Sequence, residues 1–256
     1  MKKFRPIDNL RPVLTLVLLI ALWQMIVVLL QVPAYILPTP EDIAQAFVEE
    51  FGALIYHGQI TLYQSLVGFF WAILLAFVLA VLMDVFYGLK KSIYPLLVVS
   101  QTVPIIAIAP LLIIWFGFGT LPKIIIVIIM CFFPIAINLV HGFESIDEDY
   151  INLFRSMDAT KLQTMIHLKI PFSMVHFFSG LKIAATYMIM SAVIGEWLGG
   201  SRGIGVYMLR AKNAYALDRV FASIIFIVLI SILFIYLIDF ISTKILHWQT
   251  ERNEWV

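Results

Sequence analysis

Charge is scarce in this chain. Asp, Glu, Lys and Arg make up 13% of its 256 residues, against 62% hydrophobic. A soluble domain carries roughly twice that charged fraction, so the bilayer is the solvent for most of the molecule. The formal net charge of +1 gives no footing for nucleic acid. The single cysteine, Cys131, sits in an apolar run, which excludes an internal disulfide and a Cys-based zinc site. The five histidines form neither a His-x-x-x-His pair nor an HExxH motif, so no zinc centre is expected. No Gly-x-x-x-x-Gly-Lys-Ser/Thr phosphate loop is present, nor a Gly-x-Ser-x-Gly nucleophile turn. These absences argue against a nucleotide hydrolase and an intramembrane enzyme.

What is abundant is apolar runs. Six segments reach spanning length, at about 13–31, 61–84, 94–116, 122–142, 176–198 and 220–243. Each is near the roughly 20 residues a helix needs to cross about 30 Å of hydrocarbon. The fold class expected is therefore all-α, a polytopic membrane protein of six transmembrane helices. The first run follows Lys2, Lys3, Arg5 and Arg11 but is long for a signal peptide and lacks a clear cleavage site, so it reads as a retained anchor. With both termini inside, twelve Lys and Arg residues face the cytoplasm. Only Lys123, Arg202, Arg210, Lys212 and Arg219 face outward. One transmembrane domain is expected over 13–246, between cytoplasmic tails at 1–12 and 247–256.

Between the fourth and fifth runs lies a polar island, Glu144 to Pro171. Apolar residues recur there at Ile151, Phe154 and Met157, then at Leu162, Met165, Ile166 and Ile170. These are helical spacings, so the island reads as two short amphipathic helices joined by a turn at Asp158-Ala159-Thr160. A helical hairpin held in water by flanking spans is a docking device more often than a spacer. Asp158 tolerates a left-handed turn and could cap the second helix through the N–H of Thr160 or Lys161.

The island is spaced like a cytoplasmic signature of the form Glu-Ala-Ala-x-x-x-Gly, nine residues, then Ile-x-Leu-Pro. Asp158 stands at the Gly position and Leu168-Lys169-Ile170-Pro171 at the closing element. Leu153-Phe154-Arg155 matches a Leu-Ala-Arg variant. Elsewhere come Ile36-Leu37-Pro38-Thr39-Pro40, Pro104 to Gly117 with its Trp-Phe-Gly end, Ser179-Gly180-Leu181-Lys182, Gly203-Ile204-Gly205 and Asp218-Arg219-Val220-Phe221-Ala222. In this order the segments resemble the membrane permease subunit of a bacterial ATP-binding-cassette importer, of the nitrate/sulfonate/taurine-type branch. Gly195 to Ser201 is most similar to permeases for hydroxymethylpyrimidine, a thiamine precursor.

That resemblance implies a non-enzymatic subunit of the cytoplasmic membrane that binds no cofactor itself. ATP-Mg is used by a separate ATPase dimer, and an extracytoplasmic binding protein delivers a small solute. The alternative cargo is a sulfonate, taurine or nitrate anion. The island becomes the coupling hairpin, with Arg155, Asp158, Ala159, Thr160, Lys161 and Pro171 as its ATPase-coupling residues. One hairpin per chain implies two copies, a homodimer in lipid. Candidate translocation-path residues are Gln101, Thr102, Asn138, Tyr187, Ser191 and Glu196, polar groups within or beside predicted spans. A secondary transporter would be expected to show inverted repeats, and none is evident.

Overall fold

The computed structural model describes residues 6–246, with side chains from residue 11. The expected tail at 247–256 lies outside these residues, and the expected tail at 1–12 is described only from Pro6, where the first helix begins. The order is α1 (Pro6–Leu29), α2 (Pro40–Glu49), α3 (Phe51–Val85), α4 (Tyr87–Ser100), α5 (Ile105–Phe116), α6 (Leu121–Glu144), α7 (Glu148–Ser156), α8 (Lys161–Thr164), a π-turn at Met165–Lys169, α9 (Ile170–Gly199), α10 (Ile204–Asn213) and α11 (Leu217–Ile245). No strand occurs among the described residues.

Five helical stretches are long and apolar enough to cross a bilayer: Arg11–Leu29, Phe51–Val85, Leu121–Glu144, Lys161–Gly199 and Leu217–Ile245. The third expected span, 94–116, is not one straight rod. It is the pair α4 and α5, bent by 103° across a short break, and the count reaches six when that pair is one span. Pro104 explains the break. It lacks an N–H and biases Val103 away from helical backbone, while Thr102 turns its hydroxyl back onto the Val99 carbonyl at 2.7 Å.

The second span is longer than its apolar run. At 35 residues, α3 measures about 52 Å against about 30 Å of hydrocarbon. The added length is at its start, where Phe51 to Ile60 precede the expected run. One face of α3 is built of small residues at helical spacing, Gly58, Thr61, Ser65, Gly68, Ala72, Ala76 and Ala80, all buried. They let α6 approach so closely that a Cβ on Gly68 would lie 2.5 Å from Val127 Cβ. The core of the bundle is α3, α6 and α9, with Ala72, Val127, Ile135, Ala184, Ala185 and Met188 at its centre. By contrast α1 is largely exposed along its length, touching the rest through Val27, which is buried, and the Trp23–Phe221 ring pair at 5.6 Å.

Candidate functional site: the coupling hairpin and the broken span

The hairpin forms at the expected place, and its two limbs differ. The first limb, α7, is a nine-residue helix whose Asp147 accepts from the Asp149 N–H at 3.0 Å. It ends in a Schellman motif: Asp158 N–H donates to Arg155 O at 3.1 Å and Ala159 N–H to Phe154 O at 3.0 Å. Asp158 holds the left-handed position of that motif at φ +54°, so an aspartate does here what a glycine does more cheaply. The second limb is not capped by Asp158. Its cap is Thr160, whose hydroxyl accepts from Gln163 N–H at 3.2 Å while Gln163 Oε1 accepts from Thr160 N–H at 2.8 Å. This is a capping box, written in the sequence as Thr-x-x-Gln.

Nor is the second limb a separate short helix. It passes through the π-turn, where Ile170 N–H donates to Met165 O five residues back, straight into α9. The stretch Lys161–Gly199 is thereby one 39-residue rod that leaves the hairpin and crosses the bundle. Pro171 lies just beyond the π-turn, at a position where its missing N–H is absorbed. At the foot of the rod, Lys169 Nζ donates to both carboxylate oxygens of Asp84 at 2.8 Å, tying it to the end of α3. Two further links fasten this end of the bundle: Lys90 pairs with Glu144, and the Tyr94 hydroxyl lies 2.8 Å from His141 Nε2. Higher in the bundle Lys182 pairs with Asp239.

Between the hairpin and the foot of α3 lies a cleft of about 300 Å³, lined by Arg155, Ala159, Lys161, Thr164, Lys169 and Asp84 among others. It brings together Arg155, Ala159 and Lys161 of the predicted coupling residues. Asp158 and Thr160 form the turn beside it, and Pro171 lies on α9 away from it. Arg155 and Lys161 are exposed, so the cleft is open to solvent and carries positive charge.

A second cavity, of about 280 Å³, opens at the α4–α5 break against α6 and α9. Of the predicted path residues it takes in Gln101 and Tyr187, together with Ser100, Phe133 and Pro134. Thr102 lies in the same break, Asn138 donates to the Pro134 carbonyl at 2.7 Å, and Ser191 is fully buried one turn from Tyr187 with its hydroxyl on the Tyr187 carbonyl.

Glu196 stands elsewhere. It is 1% exposed near the far end of α9. Its Oε1 accepts from the Thr61 hydroxyl at 2.8 Å and its Oε2 from Gly205 N–H at 2.7 Å. Thr61 Oγ1 in turn accepts from Ile204 N–H at 2.9 Å, and His57 Nδ1 from Gly203 N–H at 3.3 Å. The carboxylate thus ties α3, α9 and α10 into one polar node, with buried Lys123 as a neighbouring cation. Arg202 does not reach it; its guanidinium lies over the Tyr56 ring at 5.6 Å. Beside the node, burial first and then the Glu50 carboxylate push the Tyr207 phenol up to about 12. Thr61, His57 and Asp84 carried no motif, since their partners are between 85 and 146 residues away in sequence.

No group of three or more metal-ligating side chains occurs among the described residues. The described residues form a bundle of helices long and apolar enough to span a bilayer, with an exposed hairpin beside one cleft and a second cavity at the broken span. The chain belongs to the family of binding-protein-dependent transport system inner membrane components, whose model matches residues 72–247. It is 31% identical over 91% of its length to a probable ABC transporter permease protein of Haemophilus influenzae, 95% of which is covered. It is 32% identical to the formylaminopyrimidine transport permease protein of Halalkalibacterium halodurans, over 97% of this chain and 99% of that one. A putative aliphatic sulfonates transport permease protein of Bacillus subtilis is 30% identical over 90% of this chain and 84% of its own. The chain is accordingly the transmembrane subunit of an ATP-driven importer, not an enzyme. ATP is used by a separate ATPase subunit, and a binding protein supplies the solute.

Proposed function

We propose that this permease imports an uncharged aminopyrimidine of the thiamine-precursor kind, such as hydroxymethylpyrimidine, through the cavity at the broken span. The observation that carries the reading is the chemistry of that cavity. Its lining is Ser100, Gln101, Val103, Ile105, Ile108, Ile129, Met130, Phe133, Pro134 and Tyr187, with no charged side chain. A sulfonate, taurine or nitrate anion leaving water would need a cation there to offset its lost hydration. A neutral heteroaromatic ring needs only an apolar slot, an aromatic face and a few hydrogen-bonding groups, which Phe133, Gln101, Tyr187 and Ser100 can supply. A volume near the lower end for ligand pockets suits a small solute. The full-length similarity to a formylaminopyrimidine permease points the same way. Thr102, Asn138 and Ser191 are assigned to the same path: Thr102 lies in the break, and Asn138 and Ser191 bond the carbonyls of the lining residues Pro134 and Tyr187.

In this reading the hairpin and both termini face the cytoplasm, two copies of the chain form a homodimer in lipid, and each hairpin engages one ATPase. Arg155, Asp158, Ala159, Thr160, Lys161 and Pro171 carry the coupling. ATPase closure moves the turn, and the rod from Lys161 to Gly199 delivers that motion to the cavity wall at Tyr187. The test is ATP-dependent uptake into proteoliposomes holding the permease, its ATPase and its binding protein. Labelled hydroxymethylpyrimidine should accumulate saturably while labelled taurine stays at background. Accumulation of taurine without the pyrimidine overturns the cargo assignment.

A further inference from the structure

The C-terminal end of α10 carries an unusual residue. The helix closes in a Schellman motif: Tyr215 N–H donates to Lys212 O at 3.0 Å and Ala216 N–H to Ala211 O at 3.0 Å. The residue at the left-handed position is Tyr215, with φ +58°. Asp158 fills the matching position in the hairpin with a short polar side chain, but a tyrosine gains nothing locally there, and glycine would be less strained. The ring is also 74% exposed. Strain is being held to keep a large aromatic ring in the open. On the same turn Arg210 and Lys212 are exposed; Arg210 reaches the Ser201 carbonyl at 3.3 Å, and Lys212 makes no ion pair among the described residues.

This knob has a rigid base. Glu196 and Thr61 fix the first residues of α10 to α9 and α3, and the buried face of α10 packs on the bundle through Ile204, Met208 and Ala211. A rigid, aromatic, cation-flanked projection has the make-up of a protein-binding hot spot, where Tyr and Arg are enriched and preorganisation limits the ordering cost. Beside it, the Arg219–Glu50 pair at 3.1 Å joins α11 to the acidic helix α2, which exposes Glu41, Asp42 and Glu49. The face as a whole mixes both signs. An anionic membrane surface would gain nothing from it overall, whereas a protein with its own mixed pattern would be held in register.

We propose that Tyr215, flanked by Arg210 and Lys212, is the docking knob for the solute-delivering binding protein. The partner surface it fits is an apolar socket rimmed by carboxylates, with basic residues placed to meet α2. This rests on the reading above that the face is extracytoplasmic.

The experiment uses the complete transporter in nanodiscs of neutral lipid and, in parallel, of mixed neutral and anionic lipid, with affinity for the purified binding protein measured by surface plasmon resonance. Tyr215→Gly keeps the left-handed cap and removes the ring; the double variant R210E/K212E reverses the charge. Both should still purify with the ATPase subunit, and each should weaken binding at least tenfold. The wild-type affinity should fall with salt, and that of R210E/K212E should fall less. Unchanged affinity in both variants overturns the proposal. So does finding that the variants alter only a dependence on anionic lipid, which would make the knob a headgroup contact. Orientation is read separately by placing Tyr215→Cys in a Cys131→Ala background with a membrane-impermeant maleimide. Labelling of intact cells with unchanged docking sinks the knob alone; labelling only of inside-out vesicles sinks the topology beneath it.

Discussion

Gly203 shows how one residue can hold an end of this bundle together. Its φ of +125° lies where L side chains are strained, and a Cβ built on it would sit 2.1 Å from the Glu196 carboxyl. The glycine is thus required twice, by backbone and by space. Glu196 in turn is fully buried and satisfied by Thr61 and Gly205, so displacing it strands a carboxylate away from water. Gly203→Ala is expected to lower stability by about 3 kcal/mol or more, the sum of strain and a broken buried network. Thermal unfolding of the purified protein in detergent checks it, with Gly52→Ala as the comparison, since nothing lies within 4 Å of a Cβ there. A matching loss in both variants would mean that the node is not what the glycine protects.

At the scale of elements, the rod from Lys161 to Gly199 is tied to α3 by Lys169 and Asp84. Both side chains are mostly buried, at 20% and 16% exposure, so losing one partner leaves the other poorly solvated. Asp84→Asn should weaken transport and cost about 2 kcal/mol of stability, whereas the swap Asp84→Lys with Lys169→Asp should recover much of both. Uptake and unfolding measured side by side decide this, and a swap no better than the single variant removes the pair from the lever. Such a link shows where sequence reading stops. The spans were legible because long apolar runs have no other stable home than a bilayer. The hairpin was legible from helical spacing, and its true cap could have been read from Thr160 and Gln163. Asp84 and Lys169 stand 85 positions apart and carry no local signal, nor do Thr61 and Glu196 at 135 positions. The π-turn that fuses hairpin to span was equally hidden, because the signature's Pro171 suggests an ending where the helix in fact continues. The helix α3 begins at Phe51, ten residues before the apolar run expected from 61, because the helix continues through Gly52, His57, Gly58 and Gln59, which interrupt the apolar run without ending the helix.

For the whole molecule, stoichiometry follows from the coupling role proposed above for the hairpin. In that reading each copy offers one hairpin among the described residues, so an importer driven by two ATPases needs two permease chains to hold both. Two chains related by a twofold axis would give both ATPases a hairpin. Exposed α1 would then lie at the lipid boundary or against the partner copy. The purified transporter is expected to contain two permeases and two ATPases by native mass spectrometry. Ala159→Glu tests the grip: it puts a long anion into the cleft beside Arg155 and Lys161, filling it with the side chain those cations would draw from a partner. The variant permease should insert in the membrane at normal levels and remain a dimer, yet purify without ATPase and transport nothing. A variant that keeps its ATPase and full uptake would show that force enters the membrane by some route other than this turn.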